Sequence, residues 1–194
     1  MANLGTGGAN LIKSHEGFSL KFYGDPVGYP TVGWGHLITN TKTYTRNTTG
    51  NPNTSLLSQA QANALSSSLN LGYTSPISQS KANTFFAEDT AKAVTAVNKL
   101  NLNFSQSQFD ALVSLTFNGG SGVLATDDVQ AMLANGHIYP TFIGPLTTAQ
   151  LDTCSKLVSK AFSYDRKLQR RRNEEATLFC KGMKYTHKYP VYTL

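Results

Sequence analysis

Gly24, Gly28, Gly33 and Gly35, interleaved with Pro26 and Pro30, make a run of backbone punctuation that no α-helix accommodates. The runs between and beside them, Lys21–Tyr23 and Thr31–Trp34, are short and rich in aromatic and β-branched residues. That texture predicts a small, tightly turned antiparallel sheet near the N-terminus. Ahead of it, Asn10 is expected to cap a short helix that carries Leu11, Ile12 and His15 on one face and ends at Glu16.

Past the sheet the texture changes twice. Thr39 to Pro76 is rich in Thr, Asn, Ser and Gln; its first half, around Arg46 to Pro52, reads as a polar loop, and Ser58 to Leu69 as a helix. From Ser78 onward the apolar period is helical. Ser78 caps a run through Phe85, Phe86, Ala93, Val97 and Leu100, and Ser105-Gln-Ser-Gln108 has the form of a capping box ahead of Phe109, Leu112, Val113 and Leu115. Further helices are expected at Asp127 to Asn135, Thr148 to Phe162 and about Asp165 to Cys180. The predicted class is α+β, a small sheet followed by helices.

The 194 residues suffice for one domain or two small lobes that share a core. No stretch approaches the roughly 20 apolar residues that cross a bilayer, and Met1 to Lys13 lacks the charged-then-apolar pattern of a secretory signal. The net charge of +6 and the pI near 9.3 point to polyanions. Arg170, Arg171 and Arg172 head the basic residues, as either a solvated face or a polyanion anchor. Cys154 and Cys180 are too few for a zinc site; they are read as buried thiols or as a disulfide between the last helices. Asn47, Asn53 and Asn103 match the glycosylation pattern by coincidence of composition, His15 is assigned to helix packing, and His137 and His187 to the surface.

Glu16 at a helix end and Asp25 in a Gly-Asp-Pro turn place two carboxyl groups on different elements, with Thr31 on the next strand. Glycoside hydrolysis uses such a pair: one acid protonates the leaving oxygen, and one carboxylate manages water and oxocarbenium charge. On residue types alone, Glu16 reads equally as a helix-end glutamate or an arginine's partner, and Asp25 as an ordinary turn residue.

The run Glu-Gly-x5-Tyr-x-Asp-x2-Gly-Tyr-x-Thr-x-Gly-x-Gly-His, from Glu16 to His36, resembles the signature of the phage-type lysozymes, glycoside hydrolase family 24. The resemblance continues through Phe86-Ala-Glu-Asp89, through Phe109 to Gly122 and through Arg170-Arg-Arg-Asn-Glu-Glu175. It implies a lysozyme-like fold in one domain, 1–194: an N-lobe to about 78, a connecting helix to about 100 and a mainly helical C-lobe. It implies a peptidoglycan muramidase, with a lytic transglycosylase as the competing chemistry and a delivered effector or tail lysozyme as the competing setting to an endolysin. By the same resemblance Glu16 is the general acid, Asp25 the second carboxylate and Thr31 the residue at the attacking water. Gly35, Leu37, Phe117 and Asn118 would contact the glycan, His36 would pair with Asp89, and Arg171 would stand near Glu16. No cofactor, metal, nucleic acid or stable membrane insertion is implied, and a monomer is expected. It would be made in the host cytoplasm and act on the cell wall. The segments 39–76 and 137–151 depart from the family pattern.

Overall fold

The computed structural model describes residues 1–42, 44–134, 148–163 and 166–181; at 148, 150–155 and 166 it describes the backbone alone. Its helices are α1 (Thr6–His15), α2 (Gln59–Ser68), α3 (Gln79–Asn98), α4 (Gln106–Gly119), α5 (Asp127–Ala134), α6 (Thr148–Ala161) and α7 (Gln169–Cys180). One sheet, in the order β1 (Ser19–Gly24), β2 (Pro30–Gly33), β3 (His36–Leu37), is antiparallel throughout. The expected α+β architecture is present. The chain divides into two compact units, Lys13–Asp89 and Met1–Ile12 with Thr90–Leu194, the divisions falling inside α1 and inside α3.

In the unit 13–89, one sheet face is built for packing. Phe22, Val32, Ala62, Leu65, Ile77, Ala82 and Phe85 form its core. α2 is stopped from fraying at its start by a full capping box between Ser58 and Gln61. The polar segment after β3 is not a free loop. Gly24 N–H donates to the Ser55 carbonyl, Asn47 N–H to the Asp25 carbonyl and Leu57 N–H to the Phe22 carbonyl, so this stretch is laced along β1. Gly24 is what allows it: a Cβ there would lie 2.0 Å from the Thr45 carbonyl oxygen. Asn47, one of the apparent glycosylation acceptors, is buried, and its side-chain oxygen accepts from the Thr49 N–H.

In the other unit α4 is the axis. Every residue from Gln108 to Thr116 is buried, and α7 packs along it. The expected capping box at Ser105 and Gln108 is formed in full. The expectation for α1 is corrected. Its first turn begins at Thr6, so Asn10 lies inside the helix and caps nothing. The capping group comes from a distant part of the chain: Asp110 on α4 accepts the Gly5 N–H at 2.8 Å and the Gly8 N–H at 3.0 Å. A carboxylate at a helix N-terminus satisfies orphan donors and the helix dipole together. Asp110 is 3% exposed, so Asp110→Ala is expected to lower stability by about 2–3 kcal/mol. Urea denaturation of the two proteins measures it.

The basic run also departs from expectation. Arg170 is exposed and pairs with Glu174, but Arg171 and Arg172 are buried and share Glu175. Spacings of four and three along one helix turn bring them together, so neither a solvated face nor a polyanion anchor describes these two arginines. Cys180 is buried; the side chain of Cys154, and with it the question of a disulfide, lies outside the described residues, as do His137 and His187. Among the described residues no helix is long and apolar enough to cross a membrane.

Candidate active site

The candidate residues Glu16, Asp25, Thr31, Gly35, Leu37, His36 and Asp89 all belong to the unit 13–89. Strand alternation sorts those on the sheet. Tyr23 pairs with Thr31 and Thr31 with Leu37, so these three side chains form a row across one face. Val32 pairs with His36 on the opposite face, where Phe22 and Val32 enter the core. Asp25 follows β1 directly and begins the turn to β2.

Asp25 is held by its own turn. Its Oδ1 accepts three backbone N–H groups, from Val27 at 2.8 Å, Gly28 at 2.7 Å and Tyr29 at 2.8 Å. Gly28 has φ of +98°, which a side chain would resist, and it closes this turn. The carboxylate plane is therefore fixed, and Oδ2 is left to act outside the turn. Thr31 is 3% exposed, and its hydroxyl donates to the Tyr29 carbonyl at 3.1 Å. With its proton committed there, the oxygen of Thr31 presents lone pairs to any further partner.

Glu16 follows directly on α1, and the end of that helix is pinned to the sheet. The Lys13 ammonium lies 3.9 Å from the Trp34 ring centre and 4.6 Å from that of Phe86. Trp34 in turn packs on Phe18 and Phe86. Cation–π contacts of this kind, with a hydrogen bond from the Lys13 ammonium to the Asn83 side-chain oxygen at 3.4 Å, hold the helix end. The Glu16 Oε2 lies 3.9 Å from the point a Cβ would occupy on Gly35, whose φ is +85°. The positive φ is what calls for glycine here, since a Cβ would meet the glutamate only at ordinary contact distance.

His36 and Asp89 meet as expected. The Nδ1 of His36 lies 3.1 and 3.0 Å from the two carboxylate oxygens, and the imidazole stacks on Phe85 at 3.8 Å and 5°. This pair supports the sheet from its packed face. Leu37 is 41% exposed, available for an apolar contact next to Thr31. On the other unit, Asn118 accepts from Arg172, and Arg171 donates to Glu175 Oε1 at 3.1 Å and to the Ser114 carbonyl. Burial pushes the Glu175 carboxyl up, while both arginines and the Ser114 hydroxyl pull it back. Among the described residues no three His, Cys, Asp or Glu side chains gather as a metal site requires.

Tyr23 is the residue that reading by motif passed over. It is 4% exposed, and its phenol is pushed up to about 12, first by burial, then by the charges of Glu16 and Asp25, against the Gly35 backbone amide. The phenol therefore senses both candidate carboxyl groups. An acid whose folded pKa is raised contributes stability in full below its unfolded value and loses it as pH rises through the folded one. For Tyr23 that window runs from 10.0 to about 12. Relative to Tyr23→Phe, the parent is expected to lose about 2–3 kcal/mol of stability across it, read from paired melts at each pH.

Glu16 after α1, Asp25 in the turn that follows β1 and Thr31 on β2 thus lie in one unit of an α+β fold. The family model described as phage lysozyme matches residues 13–175, and the chain belongs to that family. It is 28% identical over 183 residues to the endolysin of Bacillus phage B103, an alignment covering 93% of this chain and 55% of that protein, so it spans about half of its relative's length. Among solved structures, the endolysin from Escherichia coli O157:H7 phage FAHEc1 is similar with a TM-score of 0.58 at 23% identity, covering 93% of this chain and 94% of that one. A crystal structure of a P22 lysozyme mutant is similar with a TM-score of 0.57 at 25% identity, covering 93% and 100% respectively.

Proposed function

We propose that this protein is a peptidoglycan muramidase, hydrolysing the β-1,4 bond between N-acetylmuramic acid and N-acetylglucosamine, and that it acts on the bacterial wall as a phage endolysin. Membership of the phage lysozyme family supports the class. The observation that supports the mechanism is that Asp25 and Thr31 are both held by the β1–β2 turn: one carboxylate oxygen is consumed by three N–H donors and the threonine proton by the Tyr29 carbonyl.

In this reading Glu16 donates its proton to the leaving glycosidic oxygen as the bond breaks. A water held by the Thr31 oxygen attacks the anomeric carbon from the opposite face. Asp25 Oδ2 takes the water's proton and offsets the positive charge that develops on the sugar ring. A general base with a positioned water gives inversion, whereas a nucleophilic carboxylate would give retention. His36 and Asp89 hold the sheet that carries Thr31. Following the family resemblance, Gly35 and Leu37 on the unit 13–89, and Phe117 and Asn118 on the other unit, are assigned to glycan contacts, and the protein is taken to act as a monomer. Synthesis in the host cytoplasm and action on the wall follow from the same reading.

Digestion of purified peptidoglycan tests it. Released fragments should end in reducing N-acetylmuramic acid, and NMR of the first product should show the α-anomer. Anhydro ends would mean a transglycosylase instead, and a β-anomer appearing first would overturn inversion.

A further inference from the structure

We propose that the polar segment 44–57 is a fixed strap that sets where Glu16 and Asp25 stand relative to each other, with Ser55 and Gly17 as its positioning residues. The inference rests on the muramidase reading above and gives a task to a segment that the three-residue mechanism leaves out.

The strap meets the chain at both carboxyl-bearing positions. At the Asp25 end, Gly24 N–H donates to the Ser55 carbonyl at 2.9 Å, and the Ser55 hydroxyl donates back to the Gly24 carbonyl at 2.8 Å. The next carbonyl, that of Asp25 itself, accepts the Asn47 N–H at 2.9 Å. The two stretches run close: besides the contact at Gly24, a Cβ on Gly28 would lie 3.0 Å from the Tyr44 carbonyl oxygen. At its other end the strap abuts the residue that follows Glu16. A Cβ on Gly17 would lie 2.9 Å from Pro52 Cγ, and Pro52 is buried.

Bonds within the strap stiffen it. Asn47 is 4% exposed, and its Oδ1 accepts from the N–H and the hydroxyl of Thr49, both at 3.2 Å. The Thr49 and Thr54 hydroxyls stand 2.8 Å apart, and the Asn51 side chain accepts the Asn53 N–H at 3.0 Å. The Asn-x-Thr spacing at Asn47 is therefore a turn motif whose side chain is already committed. The turn between β1 and β2 fixes Asp25 and Thr31 to itself through Val27, Gly28 and Tyr29. Those bonds do not reach the end of α1. The strap supplies that link, bonded to Gly24 and Asp25 and packed on Gly17. An acid and a base that work on opposite faces of one sugar need their separation kept, because water must fit between them.

The test is steady-state kinetics on soluble peptidoglycan fragments, well below the melting temperature. The proteins are the parent, Glu16→Gln, Ser55→Ala, Gly17→Ala, Gly17→Ala combined with Pro52→Ala, and Ser75→Ala. Ser75 is the control: its buried hydroxyl accepts the Phe22 N–H at 3.1 Å, so it also bonds β1 but lies outside the strap. Small misplacements of reacting groups are costly, and kcat is expected to fall about tenfold to hundredfold in Ser55→Ala and in Gly17→Ala. KM should stay within about twofold, since no glycan contact is assigned to either residue. Pro52→Ala removes the ring that the new methyl meets and should restore most of the kcat lost in Gly17→Ala. Ser75→Ala should lose stability and keep the parent kcat. Parent kcat in either Ser55→Ala or Gly17→Ala, losses expressed in KM alone, or no rescue by Pro52→Ala overturns the proposal. So does an equal fall in kcat for Ser75→Ala, which would mean general loosening. If Ser55→Ala or Gly17→Ala does not fold, Ser55→Thr against Ser55→Val compares the hydroxyl at matched volume, and equal kcat in that pair overturns the proposal. A parent that releases no reducing ends refutes the muramidase reading and this one together. A working parent with an inactive Glu16→Gln and an unaffected Ser55→Ala removes this inference alone.

Discussion

Glu16→Gln is expected to lose about 10²–10⁴-fold in turnover on peptidoglycan while its melting temperature stays that of the parent. The glutamine keeps the volume and hydrogen-bonding shape of the side chain and removes only the proton that reaches the leaving oxygen. Glu16 follows the last residue of α1, and the contacts that hold that helix end in place belong to Lys13, Trp34 and Phe86. Activity and melting temperature measured on the same variant separate chemistry from folding. Wall clearance by the purified variant at the parent rate would remove Glu16 from the mechanism. Asp25 needs a different design, because its carboxylate also closes a turn through three N–H bonds. Loss of activity in an alanine variant there would mix the two roles.

The largest expected stability effect lies away from the sheet. Glu175 is fully buried and accepts from the Ser114 hydroxyl at 2.6 Å, from Arg171 at 3.1 Å and from Arg172. Removing it takes from two buried guanidinium groups the carboxylate that they share. Breaking a buried pair in that way costs about 3–5 kcal/mol. For a chain of this size that corresponds to a fall in Tm on the order of 10 °C. Glu174→Ala is the matched control one residue away. Its partner Arg170 is 74% exposed, and solvated pairs contribute under about 1 kcal/mol. Calorimetry of the two variants should therefore show a large shift for Glu175→Ala and almost none for Glu174→Ala. Equal shifts would mean that the buried cluster contributes no more than a surface pair.

The parts of the fold that were legible in the sequence are those with local causes. Ser58 and Ser105 cap their helices with Gln61 and Gln108, three residues on, so each motif lies within one turn of chain. The glycines of the sheet were legible for a related reason: positive φ at Gly28, Gly33 and Gly35 is a property of the residue itself. Asp25 in its turn is equally local. The start of α1 was misread because Asn10 is a good capping residue by type, whereas the group that caps the helix is Asp110, about a hundred positions later. The arginine run was misread because charge alone suggests the surface, and only the packing of α7 on α4 turns Arg171 and Arg172 inward. Tyr23 stood inside the family signature, yet nothing about a tyrosine on a strand announces two carboxyl neighbours.

Sequence by itself determined the class of the fold, the turn that fixes Asp25, and the order Glu16, Asp25, Thr31 and His36 along the chain. These depend on backbone permissiveness and on hydrogen bonds between near neighbours, which act over a few residues. Tertiary structure alone decided which face of the sheet each candidate occupies, which carboxylate caps α1, and which arginines are buried. Those outcomes depend on desolvation and on charges meeting across large separations in the chain, and both arise only once the elements pack.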